Sequence, residues 1–330
     1  MKKLSFLTIT MLLTGYISTQ AQNNNTPQRY TFSYDRNLIT VKGVINDTLQ
    51  ANFCLDTGAN GLSLDSAFVS RHALNKRELR EGIFGANTEK VKEELAKRGL
   101  SLPSMGGGAG SGETKLKRAF EPISCHTGDY TFKEPGYKVY NDLFSSDVLV
   151  GLEPQQKYTF EIYYADKTFR LYPGKPQLTL DKSWMCIPMK EHVTQVTIPL
   201  KIKIGKKTIS GDFLLDTGSA HTLSLTAQTV DERGLANQEG IRPWKGKGLS
   251  GISKGGVIQS ESIQINKDKL LHVDIHLSYD KSGTLSGSDF YIGIIGNKVL
   301  EKYDVVVDYV NLRLYIRPNS QHDNQCCIHL

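Results

Sequence analysis

The tripeptide Asp-Thr-Gly occurs twice in this chain, at Asp56-Thr57-Gly58 and at Asp216-Thr217-Gly218. One copy says little: Asp and Gly are ordinary turn residues, and average residue usage gives roughly 0.1 such tripeptide by chance in a chain of this length. Here, however, each copy ends an apolar run, Ala51-Asn52-Phe53-Cys54-Leu55 in one and Gly211-Asp212-Phe213-Leu214-Leu215 in the other. Each is followed by a second apolar segment, Gly61-Leu62-Ser63-Leu64 or Thr222-Leu223-Ser224-Leu225. Two carboxyl groups delivered by matched frames can form a pair. Two Asp side chains held within a few ångströms cannot both ionise, so they share a proton and supply one acid and one base at the same pH. Such a pair can deprotonate a water with one member while the other hydrogen-bonds a carbonyl oxygen. That chemistry uses no metal, no cofactor and no covalent intermediate. It requires each Asp to end a rigid strand, with a small residue after it so that two loops can approach. Gly58 and Gly218 meet that need, having no Cβ to clash, and Thr57 and Thr217 offer hydroxyls that can tie one loop to the other.

The elements that must position these residues also occur twice. Leu38 to Ile45 reads as a β-branched strand, Asn46-Asp47 as a turn, and Leu49 to Leu55 as the returning strand. In the second half Val196 to Ile204, Gly205-Lys206-Lys207 and Thr208 to Leu215 repeat the pattern. The two hairpins superpose without a gap, Thr48 onto Thr208, Phe53 onto Phe213 and Asp56 onto Asp216, a shift of 160 positions. A period this long marks a duplicated domain, not a solenoid. The halves also close alike. Leu149-Val150-Gly151-Leu152, then Tyr158 to Tyr164 and Phe169 to Pro173, ends the first; Ile294-Ile295-Gly296-Asn297, then Tyr303 to Tyr309 and Leu312 to Tyr315, ends the second. Between Asp and closing Gly each half carries a Gly-rich segment expected to form a hairpin, Met105 to Lys115 and Lys245 to Gly256. The first half is longer in this interval. Its extra length falls in Asn87 to Leu100, where Val91, Leu95 and Leu100 alternate with charges in a helical pattern, with Asn87 or Thr88 as cap.

Composition bounds the alternatives. At 330 residues, 39% hydrophobic and 22% charged, the chain is ordinary globular material, long enough for two medium domains with real cores. Met1-Lys2-Lys3, an apolar run from Leu4 to about Ile17, and Thr19-Gln20-Ala21 with small residues at −3 and −1 read as a secretory signal cut after Ala21. The run is shorter than the ~20 apolar residues of a membrane span. Losing Lys2 and Lys3 takes two from the net charge of +6, leaving +4, spread along the chain with no nucleic-acid face. The five cysteines, Cys54, Cys125, Cys186, Cys326 and Cys327, form no metal-ligand spacing, and their odd number leaves at least one thiol unpaired in a monomer. Cys54 reads as a small buried filler, not a nucleophile. The run Gly106-Gly107-Gly108-Ala109-Gly110-Ser111-Gly112 is glycine-rich like a phosphate loop, but Glu113 stands where the phosphate-binding lysine belongs, which excludes nucleotide binding there. His221 reads as a solvent-exposed residue near the cleft, and Trp244, beside the second Gly-rich segment, either touches substrate or covers core.

Taken together, an apolar strand ending in Asp-Thr-Gly-(Ala/Ser), a Gly-rich flap and an apolar-apolar-Gly segment before a last hairpin resembles the aspartic proteases, in particular their retropepsin-like members, repeated in tandem on one chain. The resemblance covers about 35–173 and 196–318. It implies an all-β, bilobal fold with few short helices: a polar lead at 22–34, one barrel-like lobe in each of the two stretches, a linker at 174–195 and a tail at 319–330. It implies Asp56 and Asp216 as the catalytic pair, with Thr57, Gly58, Thr217, Gly218 and Ser219 supporting the loops. Flaps at Gly106, Gly107, Gly108 and Gly110 and at Gly248, Leu249, Ser250 and Gly251 are expected to cover the cleft. The expected activity is endopeptidase cleavage of a peptide or protein substrate by an exported, pseudo-two-fold monomer, periplasmic or extracellular. A non-catalytic peptide-binding protein of the same fold is the alternative. The sequence departs from the pepsin pattern in lacking a Tyr in either flap. It also makes the halves unequal, with Ala59 against Ser219 and Leu152 against Asn297. Ser219 suggests Asp216 as the better hydrogen-bonded member, and Leu152 suggests weaker support for the first loop.

Overall fold

The computed structural model describes residues 27–74, 80–81, 108–110 and 117–322. The expected helix at Asn87 to Leu100, the signal segment, Gly106 and Gly107 lie outside them. The described chain is all-β apart from three short α-helices, Ser66–Arg71, Ala227–Glu232 and Asn297–Leu300, and a few 3-10 turns. Asp65 caps the first helix by accepting from Ala67 N and Phe68 N, and Thr226 caps the second by accepting from Thr229 N.

Both predicted hairpins form, as Thr40–Ile45 with Leu49–Asp56 and as Gln195–Ile204 with Lys207–Leu215. Each sits inside a large sheet, and the two sheets repeat one strand order. In the first half it runs Arg80–Glu81, Lys117–Ala119, Tyr137–Tyr140, Leu62–Asp65, Val148–Gly151, Leu49–Asp56, Thr40–Ile45, Ile123–Thr127, Tyr130–Glu134. In the second it runs Arg242–Gly248, Gly251–Gln259, Asp274–Ser278, Leu223–Leu225, Gly293–Ile295, Lys207–Leu215, Gln195–Ile204, Ser262–Ile265, Asp268–Leu271. The Asp-bearing strands pair in parallel with the closing apolar segments, Gly151 opposite Asp56 and Ile295 opposite Leu215. Strands in such a central position are covered on both faces, which explains why Phe53, Leu55, Val148, Val150, Phe213 and Leu215 read as near-continuous apolar runs. Each such side chain contributes about 1.5–3 kcal/mol on burial.

A third sheet of six strands joins the halves. Its centre is Tyr158–Tyr163 against Tyr303–Asp308, with Phe160 opposite Val307 and Ile162 opposite Val305. Two segments of modest expectation turn out to belong to the fold. Tyr30–Thr31, in the polar lead, pairs with Thr168–Pro173 and brings Phe32 into the core. The segment between the halves contains Met185–Pro188, paired with Arg313–Pro318, and Lys190–His192, paired with Gln195–Ile204. Ile187 and Met189 alternate inward there, a period-two pattern that the surrounding polar residues mask.

Candidate active site

Asp56 is the last residue of its strand, and Asp216 directly follows the equivalent one. The adjoining threonines exchange hydrogen bonds in a closed reciprocal set. Thr57 N donates to Thr217 Oγ1 at 3.1 Å and Thr217 N to Thr57 Oγ1 at 3.0 Å. Thr57 Oγ1 donates to Leu215 O and Thr217 Oγ1 to Leu55 O, both at 2.8 Å. Both threonines are buried, so each hydroxyl accepts from one backbone N–H and donates to one backbone carbonyl of the opposite half with no water to compete. This grip brings the carboxyl groups together. A Cβ added at Gly58 would stand 2.5 Å from Asp216 Cγ, and one at Gly218 would strike the Asp56 carboxylate. Only glycine permits that approach.

The two carboxyl groups have matched backbone support. Gly58 N donates to Asp56 Oδ1 and Gly218 N to Asp216 Oδ1, both at 2.8 Å, and the backbone of Ala59 and Ser219 adds one more donor to each. The Ser219 hydroxyl makes no bond to Asp216 among these, so the expected advantage of Asp216 does not arise from it. Burial raises the pKa of both. Asp216 is lifted well above the carboxylate range by burial and then by the charge of Asp56. Asp56 is lifted by burial, against the Gly58 amide, a hydrogen bond from Asp216 and the charge of Lys138. The pair therefore holds one proton between them.

Support for the two loops comes partly crosswise, from Gln195 and Asn37, which nothing in the sequence singles out. Gln195 Nε2, at the start of the second half, donates to Gly58 O at 2.5 Å. Asn37, at the start of the first, donates through Nδ2 to Ala220 O at 3.2 Å. Asn297 is fully buried and fully paired, its Nδ2 donating to Thr217 O and Asn37 O at 2.7 Å and its Oδ1 accepting from Tyr164 Oη at 2.7 Å. Leu152 has no such amide and packs in the core, its N–H reaching Asp56 O at 2.8 Å. The first loop is held instead by Gln195 and by Glu153 Oε1, which accepts from Gly61 N at 2.5 Å. No local pattern marks Asn37 or Gln195, since both act across the gap between halves.

The second Gly-rich segment is the hairpin Arg242–Gly248 with Gly251–Gln259, turning at Leu249 and Ser250. Of the first, Gly108, Ala109 and Gly110 meet that turn. Ser250 N donates to Ala109 O at 3.1 Å, Gly108 lies against Leu249, and Gly110 N donates to Asp280 Oδ2 at 3.3 Å. Asp280 also accepts from Ser253 Oγ at 2.7 Å and Lys254 N at 3.2 Å, tying both tips to one buried carboxylate. Each tip reaches over the opposite half. Ala109 packs on the cluster of Leu214, Leu285, Tyr291 and Ile294, and Leu249 on that of Tyr140, Leu143 and Leu149. Tyr291 and Tyr140 both sense the dyad. Burial and then the charge of Asp216 push Tyr291 up to about 12, and burial, partly offset by Arg118, raises Tyr140 beside Asp56.

His221 is not a solvent-exposed residue. Its ring lies tilted against His276 at 4.3 Å and meets Trp244 edge-on at 5.1 Å, and burial lowers its pKa. Cys54 is a buried free thiol whose pKa burial raises, which fits a filler. Among the described residues no group of three His, Cys, Asp or Glu side chains is arranged to hold a metal, and no helix is long and apolar enough to cross a membrane. No protein-family model matches the chain, and no curated protein is significantly similar to it.

Proposed function

We propose that the protein is an exported aspartic endopeptidase of the retropepsin-like type, a bilobal monomer whose two related lobes place Asp56 and Asp216 at the floor of a substrate cleft. The observation that carries this reading is the reciprocal Thr57–Thr217 grip, which holds two buried carboxyl groups in contact and leaves them one proton to share. A pair in that state suits hydrolysis of an amide. The ionised carboxylate takes a proton from water as the oxygen attacks the carbonyl carbon. The protonated carboxyl gives its proton to the carbonyl oxygen, which receives the displaced electron pair. Collapse reverses the roles, the first carboxyl protonating the leaving nitrogen while the other recovers its proton. The flap tips over Leu214, Tyr291, Tyr140 and Leu149 supply an apolar roof that excludes water from the reacting bond.

Asp56→Asn and Asp216→Asn, assayed separately on a peptide library from acid to neutral pH, are each expected to lose at least ~10³-fold in kcat/KM while keeping a folded circular-dichroism spectrum. Substantial turnover in either variant would rule out the paired-carboxyl mechanism.

A further inference from the structure

The dyad is symmetric in its backbone but not in its surroundings, and the difference lies at one register position. Lys138, on Tyr137–Tyr140, stands opposite Ser63 on Leu62–Asp65. Its half-buried ammonium donates to Asn60 O at 2.7 Å and to Asn60 Oδ1 at 2.6 Å, fixing it on the loop that follows Asp56-Thr57-Gly58. The charged groups around it are Arg118, directly opposite on the paired strand Lys117–Ala119, and Glu153, Asp56 and Glu134. Burial and then Arg118 bring its pKa down to about 8, so it remains a cation through the acid and neutral range, and its charge in turn lowers the pKa of Asp56.

In the second half the equivalent position, opposite Ser224, is His276. Its ring lies tilted against His221 and meets Trp244 at 5.0 Å. Burial, then the neighbouring His221 and Arg242, takes its pKa to about 3, so it is neutral over the same range. Arg242 is itself paired with Asp274 at 2.9 Å. The groups that oppose the upward shift of Asp216 are the Gly218 and Ser219 amides, with no cation among them. One carboxyl thus has an anchored cation behind its loop, and the other a neutral ring.

We propose that Lys138 is a positioning residue that decides which member of the dyad is ionised: its ammonium, anchored on Asn60, keeps Asp56 as the base that activates water and leaves the shared proton on Asp216. The proposal rests on the peptidase reading for its kinetic consequence, but not for its electrostatic one. Two measurements test it. The first is kcat/KM against pH for the wild type, Lys138→Met and Lys138→Arg. The second is a carboxyl carbon-13 NMR titration of the aspartates in the wild type and Lys138→Met. In Lys138→Met the acid limb is expected to move up by roughly half a pH unit or more, with Lys138→Arg restoring it, a pattern that a packing defect does not produce. In the wild type Asp56 is expected to titrate below Asp216. An unmoved acid limb in Lys138→Met, or an Asp216 that titrates first, overturns the proposal, and the wild-type titration decides it even if Lys138→Met does not fold. If the wild type cleaves nothing, yet Asp56 titrates first and rises in Lys138→Met, the peptidase reading falls and this inference stands.

Discussion

Replacing Thr57 by Val removes one hydroxyl and two hydrogen bonds, and the structure says what each loss leaves behind. Leu215 O loses the donor at 2.8 Å and Thr217 N loses the acceptor at 3.0 Å. Both lie where the neighbouring threonines are fully buried, so water does not replace the missing partner. An orphaned buried backbone group costs ~1–3 kcal/mol, giving roughly 2–6 kcal/mol for the pair. Because the lost bonds join the two halves, the damage falls on the placement of the carboxyls as well as on stability. We expect a fall of roughly 2–6 kcal/mol in urea unfolding, with an unchanged m-value, and a loss of ~10²-fold or more in kcat/KM from misplacement of about an ångström. Thr57→Ser keeps the hydroxyl and should recover most of both. Thr217→Val should behave like Thr57→Val, since it orphans Thr57 N and Leu55 O in the same way. A Thr57→Val protein within about 0.5 kcal/mol of the wild type, the ordinary range for surface substitutions, would refute the claim that this grip holds the site together.

Other expectations follow from the same contacts. Gly58→Ala forces a Cβ to 2.5 Å from Asp216 Cγ, and should abolish turnover while leaving the cores of both halves folded, as judged by near-UV circular dichroism and proteolysis. Glu161 is fully buried and accepts from Tyr163 Oη at 2.8 Å, Tyr172 Oη at 2.5 Å and Arg170 Nη1 at 3.0 Å, so Glu161→Ala leaves a mostly buried guanidinium unpaired. That change should cost about 3–5 kcal/mol in unfolding and spare kcat in the protein that remains folded. Stability should also report the dyad. Asp216 keeps its proton in the folded state above the pH where the unfolded chain releases it, so the folded state binds more protons and stability falls as pH rises from the unfolded pKa through the folded one. Asp216→Asn, which carries no charge to bury, should therefore gain in Tm over the wild type as pH rises from 4 to 8 and show little difference at pH 3. An equal Tm difference at every pH would contradict the assigned shift.

Much of the site was legible because its signals are local and occur twice. The hairpins around Phe53 and Phe213, the closing segments at Gly151 and Gly296 and the flap turn at Gly248 to Gly251 each depend on apolar periodicity and glycine placement within a few residues. What escaped depends on partners that lie on other elements, well beyond any local pattern. Gln195 reads as a polar residue before a strand, and only the fold shows its amide at Gly58 O. His221 reads as a surface histidine because the residues that cover it, Trp244 and His276, arrive from strands further along the chain. The sequence suggests Asp216 as the better hydrogen-bonded carboxyl, whereas the structure gives the two matched backbone support and places the difference elsewhere. Ser219 against Ala59 is visible in sequence, whereas Lys138 against His276 is visible only when the strands are in register.

That inequality is something a duplicated chain can have and a symmetric dimer cannot. The loops in this protein are braced in part by the opposite half: Thr57 on Leu215, Thr217 on Leu55, Gln195 on Gly58, Asn37 on Ala220. Each half supports its own strand end, but these hydrogen bonds tie the two loops to each other, and the shared sheet between Tyr158–Tyr163 and Tyr303–Asp308 joins the halves. With both halves on one chain, each position of the repeat is free to change alone. Leu152 is core where Asn297 is an amide clamp, and the slot behind the loop holds a cation in one half and a neutral ring in the other. Two identical aspartates must choose at random which keeps the shared proton. On the reading proposed above, two aspartates with Lys138 behind one of them need not, and the general base would be in place before substrate arrives.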